Sequence, residues 1–436
     1  MKFVVLVVLL ILRVSDAAEC HGKPDPNAKP NANPIQTGTP QFVKSLKNGK
    51  LYTAGSGEEA IPIVHVWGTP YEMGHAHGSL MVNEARGLIN DVWSYMESQV
   101  EQFINGSNTN LQFPDWFLKD VADMGLDAAL DIEIAITAKY SGDYFNEEIK
   151  GMAEATGLEE IKIKRIHMLG ELTKGQCSMF GANKTATATG GTLQLRALDW
   201  DVDGPFKNYP QVTIYHPNKG NGHTFANVGW TGWIGSITGM SSVQMAISEI
   251  GVSFPDDTFG HESRFGVPFT YLLRDILQFD NTLTDSMTRM TNAHRTCNLI
   301  LGVGDGKMDS FRGVEYSASV ANYFTPENLQ PTVDWHPRIP GIVYWGMDWL
   351  CPGYSSVLAK QLDNYHGQLT PDVTIHDILP VVQSGDLHIA VYDLQNELMY
   401  VSNARADKET GPDMAYDRPF VELDMKTLFN EAPPTP

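Results

Sequence analysis

Cys177 is the residue whose surroundings most suggest chemistry. A charged, helix-like segment from Glu159 to Lys174 stops at Gly175, and a strand-like segment of small residues begins directly after Gln176. Cleavage of the Gln176–Cys177 bond would leave a thiol and a free α-amine on one residue. An α-amine has a pKa of about 8, so near neutral pH part of it can accept the thiol proton. We interpret Cys177 as a nucleophile that carries its own base; the alternative is a buried structural thiol.

An Arg-x-x-Asp stretch, Arg196 to Asp199, begins nineteen residues after the cysteine. A loop over 183–191 can join two antiparallel strands, and this pairing sets Arg196 opposite about residue 178, beside the thiol. Strict alternation along a strand places Asp199 on the opposite face of the sheet. Asp199 must therefore lie past the strand end or after a bulge if it acts with Cys177. The alternative is that the two residues form a surface ion pair.

The start of the chain has the parts of a secretory signal peptide. Lys2 precedes an apolar run over 3–12 that is too short to cross a bilayer, and small residues follow it. We expect residues 1–17 to be removed, with the cut after Ala17 or Ala18, and the protein to be secreted or lysosomal. No later apolar stretch is long enough for an integral membrane span.

The charge balance limits the partners. The chain carries 52 acidic and 31 basic residues, which gives a net charge of -21 and a pI of about 4.9. This charge disfavours nucleic acid and anionic membrane surfaces as partners. Two sequons, at Asn105 and Asn183, are candidate glycosylation sites that fit the secretory route.

Four cysteines in 436 residues are too few for a disulfide scaffold, so the fold must rest on an ordinary core. With Cys177 reserved for chemistry, Cys297 and Cys351 could form one bridge and leave Cys20 in a mobile tail. The sequence leaves the pairing open.

Composition divides the chain into segments. Residues 18–40 contain five prolines and almost nothing apolar, which predicts a disordered leader, and 431–436 form a Pro-rich tail. The segment 41–176 is mainly helical in pattern, and the segment 177–436 is rich in strands. We expect these last two segments to build one domain.

Apolar periodicity places the individual elements. Thr69 begins a helix with Pro70 at its first position and Glu72 in a capping box, and an apolar stripe continues to Phe103. Further predicted helices cover 116–139, 144–156, 268–279 and 282–293. Predicted strands cover 61–67, 192–198, 211–215, 224–228, 243–250 and 299–303. Helices before a sheet-rich core indicate a layered α/β architecture.

Two other kinds of catalytic site are disfavoured. His75 and His77, with His65 nearby, could bind a metal, but a spacing of two on a helix points the rings to different faces. We therefore expect no metal and no cofactor. The Gly-x-Ser-x-Gly elbow of serine hydrolases is absent around three candidate serines, Ser236, Ser241 and Ser242.

Together these features resemble the N-terminal-nucleophile (Ntn) hydrolases, in particular their cysteine group, which includes isopenicillin N acyltransferase, acid ceramidase, N-acylethanolamine acid amidase and bile salt hydrolase. The matching stretches, spread over about residues 61 to 315, are Cys177 at the start of the strand-rich half, Arg196-x-x-Asp199, the glycine-rich run 229–235, Thr296-Cys297-Asn298-Leu299 and the helix opening 68–74 with Gly78.

The resemblance implies a four-layer αββα fold and a precursor that cuts itself before Cys177. The products would be an α chain of about 159 residues and a β chain of 260 residues. Asp199 would hold the freed amine, and Arg196 would lie near the sulfur and favour thiolate. Asn298 would donate to the oxyanion. One departure is Gln176, where the acyltransferase has a glycine, and it bears on the rate of self-cleavage.

Four assignments have plain structural alternatives. Trp230 and Trp233 are either walls of an acyl pocket or core residues. Arg312 either binds an anionic or polar substrate group or is solvated surface, and Asn298 is either the oxyanion donor or a turn residue at a strand edge.

The predicted activity is cleavage of a non-peptide C–N bond in a small N-acyl amide, such as a ceramide-like lipid amide, through a thioester. An acyltransferase would use the same acyl-enzyme with an amine in place of water. A secreted binding protein that kept the fold and lost the chemistry is the other alternative. The predicted partners are the amide substrate and the two chains of one precursor, with no nucleic acid.

Overall fold

The computed structural model describes residues 20, 22–104, 113–408 and 411–435. The predicted signal peptide and the sequon at Asn105 lie outside these residues. Among the described helices, none is long and apolar enough to cross a membrane.

The described residues form twelve α-helices, and a π-helical turn at Thr374–Ile378 joins two of them. The helices are α1 (Pro70–Leu80), α2 (Val82–Ile104), α3 (Asp115–Met124), α4 (Leu126–Thr137), α5 (Asp143–Thr156), α6 (Glu160–Leu172), α7 (Phe269–Phe279), α8 (Leu283–Asn292), α9 (Pro352–Asn364), α10 (Pro371–Val373), α11 (Leu379–Val382) and α12 (Met425–Phe429).

The same residues form eighteen strands. They are β1 (Gln41–Leu46), β2 (Gly49–Ala54), β3 (Ile61–Gly68), β4 (Gln176–Ala182), β5 (Leu193–Asp199), β6 (Pro210–Pro217), β7 (Phe225–Trp230), β8 (Gly239–Ser241), β9 (Met245–Gly251), β10 (Leu299–Asp305), β11 (Ser310–Tyr316), β12 (Ala321–Phe324), β13 (Ile342–Trp345), β14 (His388–Asp393), β15 (Leu398–Asn403), β16 (Arg405–Lys408), β17 (Gly411–Asp413) and β18 (Val421–Asp424).

Two large sheets carry the fold. The first has the order β1-β2-β3-β6-β7-β8-β9-β10-β11-β12, and the second has the order β13-β4-β5-β14-β15-β18. The sheets meet face to face where β4 and β5 pack on β9. Helices α1, α7 and α8 contact the first sheet, and α9 and α10 contact the second. The predicted mixed α/β class is therefore confirmed.

Strand β3 contributes residues to both buried hydrophobic clusters. Its residues Ile61 and Ile63 point to the second sheet and pack in a cluster with Val401, whereas Val64 and Val66 belong to the larger cluster that includes the helices. Successive side chains of a strand point to opposite faces, so a strand covered on both faces becomes almost entirely apolar. This apolar pattern explains why the sequence correctly predicts a strand at β3.

The predicted capping box opens α1. Thr69 Oγ1 accepts a hydrogen bond from the Glu72 N–H, and the Glu72 carboxylate accepts one from the Thr69 N–H. The predicted long helix is broken, because Met81 leaves the helical conformation and α2 begins at the next residue. Helix α1 packs on β3 and α5, whereas α2 contacts α5 and α6, so the break lets each helix follow its own neighbours.

Glycines bring α1 and α5 into close contact. A Cβ atom on Gly74 would lie 1.9 Å from the Glu148 carbonyl oxygen, and one on Gly151 would lie 2.1 Å from the Tyr71 carbonyl oxygen. Only glycine permits this approach of two backbones. The glycine-rich helix opening therefore serves packing at some distance from the nucleophile's strand.

The leader is ordered where the structure describes it. The buried Asn31 side chain donates to the carbonyl oxygens of Tyr416 and Arg418, and the Gln36 N–H donates to the Phe420 carbonyl oxygen. The prediction of disorder is wrong for residues 22–40, because polar hydrogen bonds hold a segment that has little apolar surface to bury.

The structure also corrects the expected disulfide pairing. Cys351 is bonded to Cys20, with 5.9 Å between their Cα atoms, and Cys297 is a free buried thiol, so the Cys297–Cys351 bridge is wrong. Glycosylation at Asn183 stays a prediction; this residue is buried, and its Nδ2 donates to the Asp309 carbonyl oxygen at 2.9 Å.

Candidate active site

The β4–β5 hairpin brings the cysteine and the arginine together. Cys177 is paired with Leu198, and Arg196 is paired with Met179, one residue further than the sequence predicts. Residues two apart on a strand share a face, so Arg196 is the diagonal neighbour of Cys177. Both side chains point into the space between the sheets, where they meet β9.

Arg196 bridges the thiol and a carboxylate. Its Nη1 lies 3.1 Å from Cys177 Sγ, and its Nη2 lies 3.0 Å from Glu249 Oε2. Cys177 and Arg196 are completely buried, and Glu249 is almost so. Burial raises the pKa of the Cys177 thiol far above its usual value, and the charge of Arg196 opposes that shift. The guanidinium is therefore the group that stabilises a thiolate here.

Glu249 was not identified from the sequence. It lies on β9 across the sandwich from Arg196, and burial raises its pKa to about 7 against the opposing effect of Arg196. Met245 and Ile247 share its strand face and are buried. A carboxylate at a position where the alternation of the strand predicts a buried apolar residue is a signal that could have identified Glu249.

Asp199 occupies the other face of the hairpin, as strict alternation requires. It is the last residue of β5, opposite Gln176, and its carboxylate accepts hydrogen bonds from the Ser384 hydroxyl and from the N–H groups of Gly385 and Asp386. Burial raises the pKa of Asp199 to about 7, and these hydrogen bonds oppose the shift. Burial and the Asp199 charge also raise the pKa of Asp386.

The peptide bond between Gln176 and Cys177 is held in place by the segment that follows β13. The Cys177 N–H donates to the Met347 carbonyl oxygen at 2.9 Å, and the Met347 N–H donates to Ser178 Oγ at 2.9 Å. Met347 adopts a left-handed conformation, with a φ of 68°. In the uncut chain, the hydrogen bonds that the described residues give to the Asp199 carboxylate come from the 384–386 loop.

Asn298 lies just before β10 and next to the cleavage segment. Its N–H donates to Glu262 Oε1 at 2.9 Å, and Glu262 also pairs with Lys174. The Asn298 carbonyl oxygen accepts a hydrogen bond from the Val252 N–H. The preceding residue, Gly251, lies against the cleavage segment, because a Cβ atom on it would be 2.5 Å from the Gly175 carbonyl oxygen. The buried Asn298 Oδ1 has no hydrogen-bond partner among the described atoms.

An apolar cavity opens beside the nucleophile. We call it the acyl cavity, and its walls include Gly175, Leu198, Trp200, Phe206, Trp230, Trp233 and Glu249. Leu198 is the cross-strand partner of Cys177, and Glu249 binds Arg196, so two wall residues are direct neighbours of the Cys177–Arg196 pair. A second, polar cavity shares Gly175 and Trp200 with it and is lined by Gln176, Asp199, Asp386, Tyr354 and Tyr416.

Two helix histidines hold the glycine-rich run. His77 Nε2 accepts the Gly232 N–H at 3.1 Å, and His167 Nε2 accepts the Ile234 N–H at 2.9 Å while its ring stacks on Trp233. Burial lowers the pKa of His77 to about 3 and that of His167 to about 4, which keeps both rings neutral acceptors. No set of three or more His, Cys, Asp or Glu side chains in the described residues is arranged to hold a metal ion.

Arg312 is not brought to this site. It lies partly exposed on β11, and its described hydrogen bonds go to Ser310 Oγ and the Phe311 carbonyl oxygen. The structure thus brings Cys177, Arg196 and Glu249 into one buried cluster, places Glu249 and the two tryptophans on the wall of the acyl cavity, and leaves Arg312 elsewhere.

Comparisons with known proteins give full-length relatives and partial structural likenesses. No protein-family model matches the chain. Among solved structures, the Caenorhabditis elegans N-acylethanolamine-hydrolyzing acid amidase ortholog has a TM-score of 0.39 and 15% identity, covering 50% of this chain and 93% of its own. A mutant of conjugated bile acid hydrolase from Clostridium perfringens has a TM-score of 0.38 and 13% identity, covering 58% and 93%.

Two Dictyostelium discoideum proteins match along most of their length. Protein dcd1B is 34% identical over 415 residues, which cover 92% of this chain and 82% of its own. Protein dcd1A is 33% identical over 448 residues, which cover 98% of each chain. With a third of the residues identical over nearly the whole chain, this protein belongs to the family of dcd1A and dcd1B.

Proposed function

We propose that this protein is a self-processing Ntn cysteine amidohydrolase with a four-layer αββα core that cleaves a small N-acyl amide through a thioester. The observation that carries the proposal is the contact of Arg196 with Cys177 Sγ at the first buried residues of a strand, beside an apolar cavity. A buried arginine next to a cysteine favours the nucleophilic thiolate.

Self-cleavage would act on the Gln176–Cys177 bond. Cys177 Sγ attacks the Gln176 carbonyl carbon, and the C–N bond breaks. The thiol proton moves to the leaving nitrogen, which becomes the new α-amine. Water then hydrolyses the thioester to give the Gln176 carboxylate and a free thiol. The hydrogen bond from Cys177 N–H to Met347 holds the scissile amide for this step.

The turnover cycle would use the amine that cleavage creates. The amine accepts the thiol proton, Sγ attacks the substrate carbonyl, and Asn298 is the proposed side-chain donor to the oxyanion. The protonated amine then gives its proton to the leaving nitrogen, which leaves a thioester and frees the amine product. Water attacks the thioester and gives up a proton, so a carboxylic acid leaves and the thiol is restored.

The acyl cavity supports an apolar acyl group. Its walls are aromatic and aliphatic apart from Glu249, Thr173 and Thr270, and it meets the polar cavity at Gly175 and Trp200. An amide with an apolar acyl chain and a polar amine part, such as a ceramide-like lipid amide, would occupy both. The Cys20–Cys351 disulfide and the signal-like start support a secreted or lysosomal location.

The decisive experiment is intact mass and N-terminal sequencing of the purified full chain. We expect the wild type to give a β chain that begins at Cys177, and we expect Cys177→Ala to stay uncut. Cys297→Ala is the matched control, because it removes the other free buried thiol and should be cut like the wild type. An uncut wild type at both neutral and acidic pH would refute the proposal. A panel of N-acyl amides would then define the substrate.

A further inference from the structure

Ser384 lies on the face of the nucleophile hairpin that does not carry the thiol. It is completely buried in the loop after α11, and its Oγ lies 2.6 Å from Ser178 Oγ while it donates to Asp199 Oδ2. An ionised carboxylate can only accept hydrogen bonds, and Ser384 has a single hydroxyl proton. When Asp199 is ionised, Ser384 gives its proton to the carboxylate and the Ser178 hydroxyl donates to Ser384 Oγ, which forms a directed chain from Ser178 through Ser384 to Asp199.

The loop that carries Ser384 is fixed by its backbone. Gln383 adopts a left-handed conformation with a φ of 53°, and Gly385 has a φ of 91°. A Cβ atom on Gly385 would lie 2.3 Å from Ile389 Cγ1, so no larger residue fits there. This turn aims the Ser384 hydroxyl and the Gly385 N–H at the two oxygens of Asp199.

The chain continues to the scissile peptide. Ser178 Oγ accepts the Met347 N–H at 2.9 Å, and the Met347 carbonyl oxygen accepts the Cys177 N–H at 2.9 Å. Hydrogen bonds thus connect the Asp199 carboxylate to the nitrogen that would become the α-amine, through Ser384, Ser178 and Met347.

We propose that Ser384 is a positioning residue that holds the Asp199 carboxylate for the Cys177 amine and ties it to the backbone around the scissile bond. This inference rests on the proposed self-processing amidohydrolase and names a further residue of the same site. Ser384 touches neither the thiol nor the acyl cavity, so it would act through Asp199.

The charges around Asp199 set the expected consequence. The Asp386 N–H in the same loop and the charge of Arg196 on the same strand both favour ionisation of Asp199, whereas the Asp199 charge raises the pKa of the Asp386 carboxyl. The Asp199 charge also raises the pKa of Tyr354 on α9, of Tyr416 and of the Cys177 thiol, which lies on the other face of the hairpin. Among these neighbours, the Ser384 hydroxyl gives the largest effect that opposes burial. Its loss should let Asp199 keep a proton to higher pH.

The test compares full-length wild type, Ser384→Ala, Ser384→Thr and Ser402→Ala. Ser402 is a matched control, because it is buried and its hydroxyl donates to the Ala415 carbonyl oxygen and not to Asp199. Two quantities are followed from pH 4.5 to 8. They are the half-time of self-cleavage by intact mass and the rate at which iodoacetamide alkylates Cys177 in the cleaved protein.

We expect Ser384→Ala to slow cleavage by about tenfold or more and to shift the pH midpoint of alkylation upward. Ser384→Thr keeps the hydroxyl and should stay within about threefold of wild type, as should Ser402→Ala. If the alanine variant does not fold, Ser384→Cys preserves the volume with a weak donor and carries the same expectation.

Two outcomes overturn the inference in different ways. A wild type that cleaves, with Ser384→Ala showing the same half-time and the same pH midpoint, refutes the role of Ser384 and leaves the proposed function standing. A wild type that never cleaves refutes the proposed function and this inference with it.

Discussion

Arg196 Nη1 lies 3.1 Å from Cys177 Sγ, and neither side chain is exposed to solvent. The charge of Arg196 is balanced across the sandwich by Glu249 at 3.0 Å. The alternative of a solvated surface pair between Arg196 and Asp199 is therefore wrong. Replacing Arg196 should therefore change both the unfolding free energy and the rate of self-cleavage, and the two effects can be measured separately.

Arg196→Lys should abolish most self-cleavage while leaving a folded protein. The guanidinium reaches Cys177 Sγ and Glu249 with two different nitrogens, and a single ammonium nitrogen cannot reproduce this fork. We expect cleavage to slow by about a hundredfold or more. Intact mass over time measures the rate.

A double variant separates stability from chemistry at this pair. Arg196→Met leaves Glu249 buried without its partner, which should cost about 3–5 kcal/mol of unfolding free energy. Arg196→Met combined with Glu249→Met should recover most of that loss and still fail to cleave. Denaturant unfolding and mass spectrometry test the two halves, and cleavage by the double variant at the wild-type rate would remove Arg196 from the mechanism.

Gly170→Leu should change acyl selectivity. Gly170 on α6 lines the acyl cavity, and a Cβ atom there would lie 2.7 Å from Trp233 Cη2, so a leucine would displace the Trp233 ring and narrow the cavity. We expect turnover of an amide with a long saturated acyl chain to fall by about tenfold or more, with little change for an acetyl amide or for self-cleavage.

The control for cavity filling is a leucine at another helical glycine. Gly353 on α9 has open space around its Cβ position, so Gly353→Leu should leave the ratio of long-chain to acetyl turnover unchanged. An equal loss for both amides in Gly170→Leu would show that the cavity does not bind the acyl chain.

Lys174→Met should slow self-cleavage without affecting turnover. Lys174 precedes the scissile bond and pairs with Glu262, whose Oε1 also accepts the Asn298 N–H. The lysine anchors the segment that is cut, so its loss should reduce the cleavage rate by several fold. Turnover per cleaved molecule should stay at the wild-type level.

Glu262→Ala is the contrasting variant. It removes both the Lys174 pair and the hydrogen bond to Asn298, so it should lower the cleavage rate and also the turnover number of the cleaved enzyme. If Lys174→Met lowers the turnover number as much as Glu262→Ala does, the lysine has a role beyond the precursor.

Unfolding of the uncut chain should depend on the protonation of Glu171. Burial raises the pKa of this carboxyl from 4.5 to about 7, so the folded state binds a proton that the unfolded state releases. The resulting stabilisation is fully present below about pH 4.5 and is lost as the pH rises through 7, with a total of about 3 kcal/mol at most. Denaturant unfolding of Cys177→Ala at several pH values measures it.

Glu171→Gln in the same background should remove this slope. The amide oxygen can still accept the Phe269 N–H that the carboxylate accepts at 2.8 Å, but glutamine does not ionise. Exposed Glu97→Gln is the control and should leave the slope unchanged. If unfolding free energy declines equally from pH 4.5 to 7 in Cys177→Ala with and without Glu171→Gln, groups other than Glu171 cause the decline.

Local sequence signals predicted many elements of the first three quarters of the chain. The Thr69 capping box, the strand at 61–68 and the helices at 143–156 and 269–279 match because caps and apolar periodicity are local properties. Strands β1 and β2 were missed, since β1 is exposed on both faces and carries no clear alternation. The breaks at Met81 and Gly125 depend on which helices pack together.

The sequence by itself determined where the nucleophile and its arginine lie along one hairpin, because a short loop fixes the register of two adjacent strands to within one residue. It also determined that Asp199 points away from the thiol, since alternation is a property of every strand. Only the tertiary structure decided that Glu249 pairs with Arg196, that Ser384 holds Asp199, and that Arg312 stays outside. Those contacts join elements far apart in the chain, and the packing of two sheets, which no local pattern encodes, sets which side chains meet.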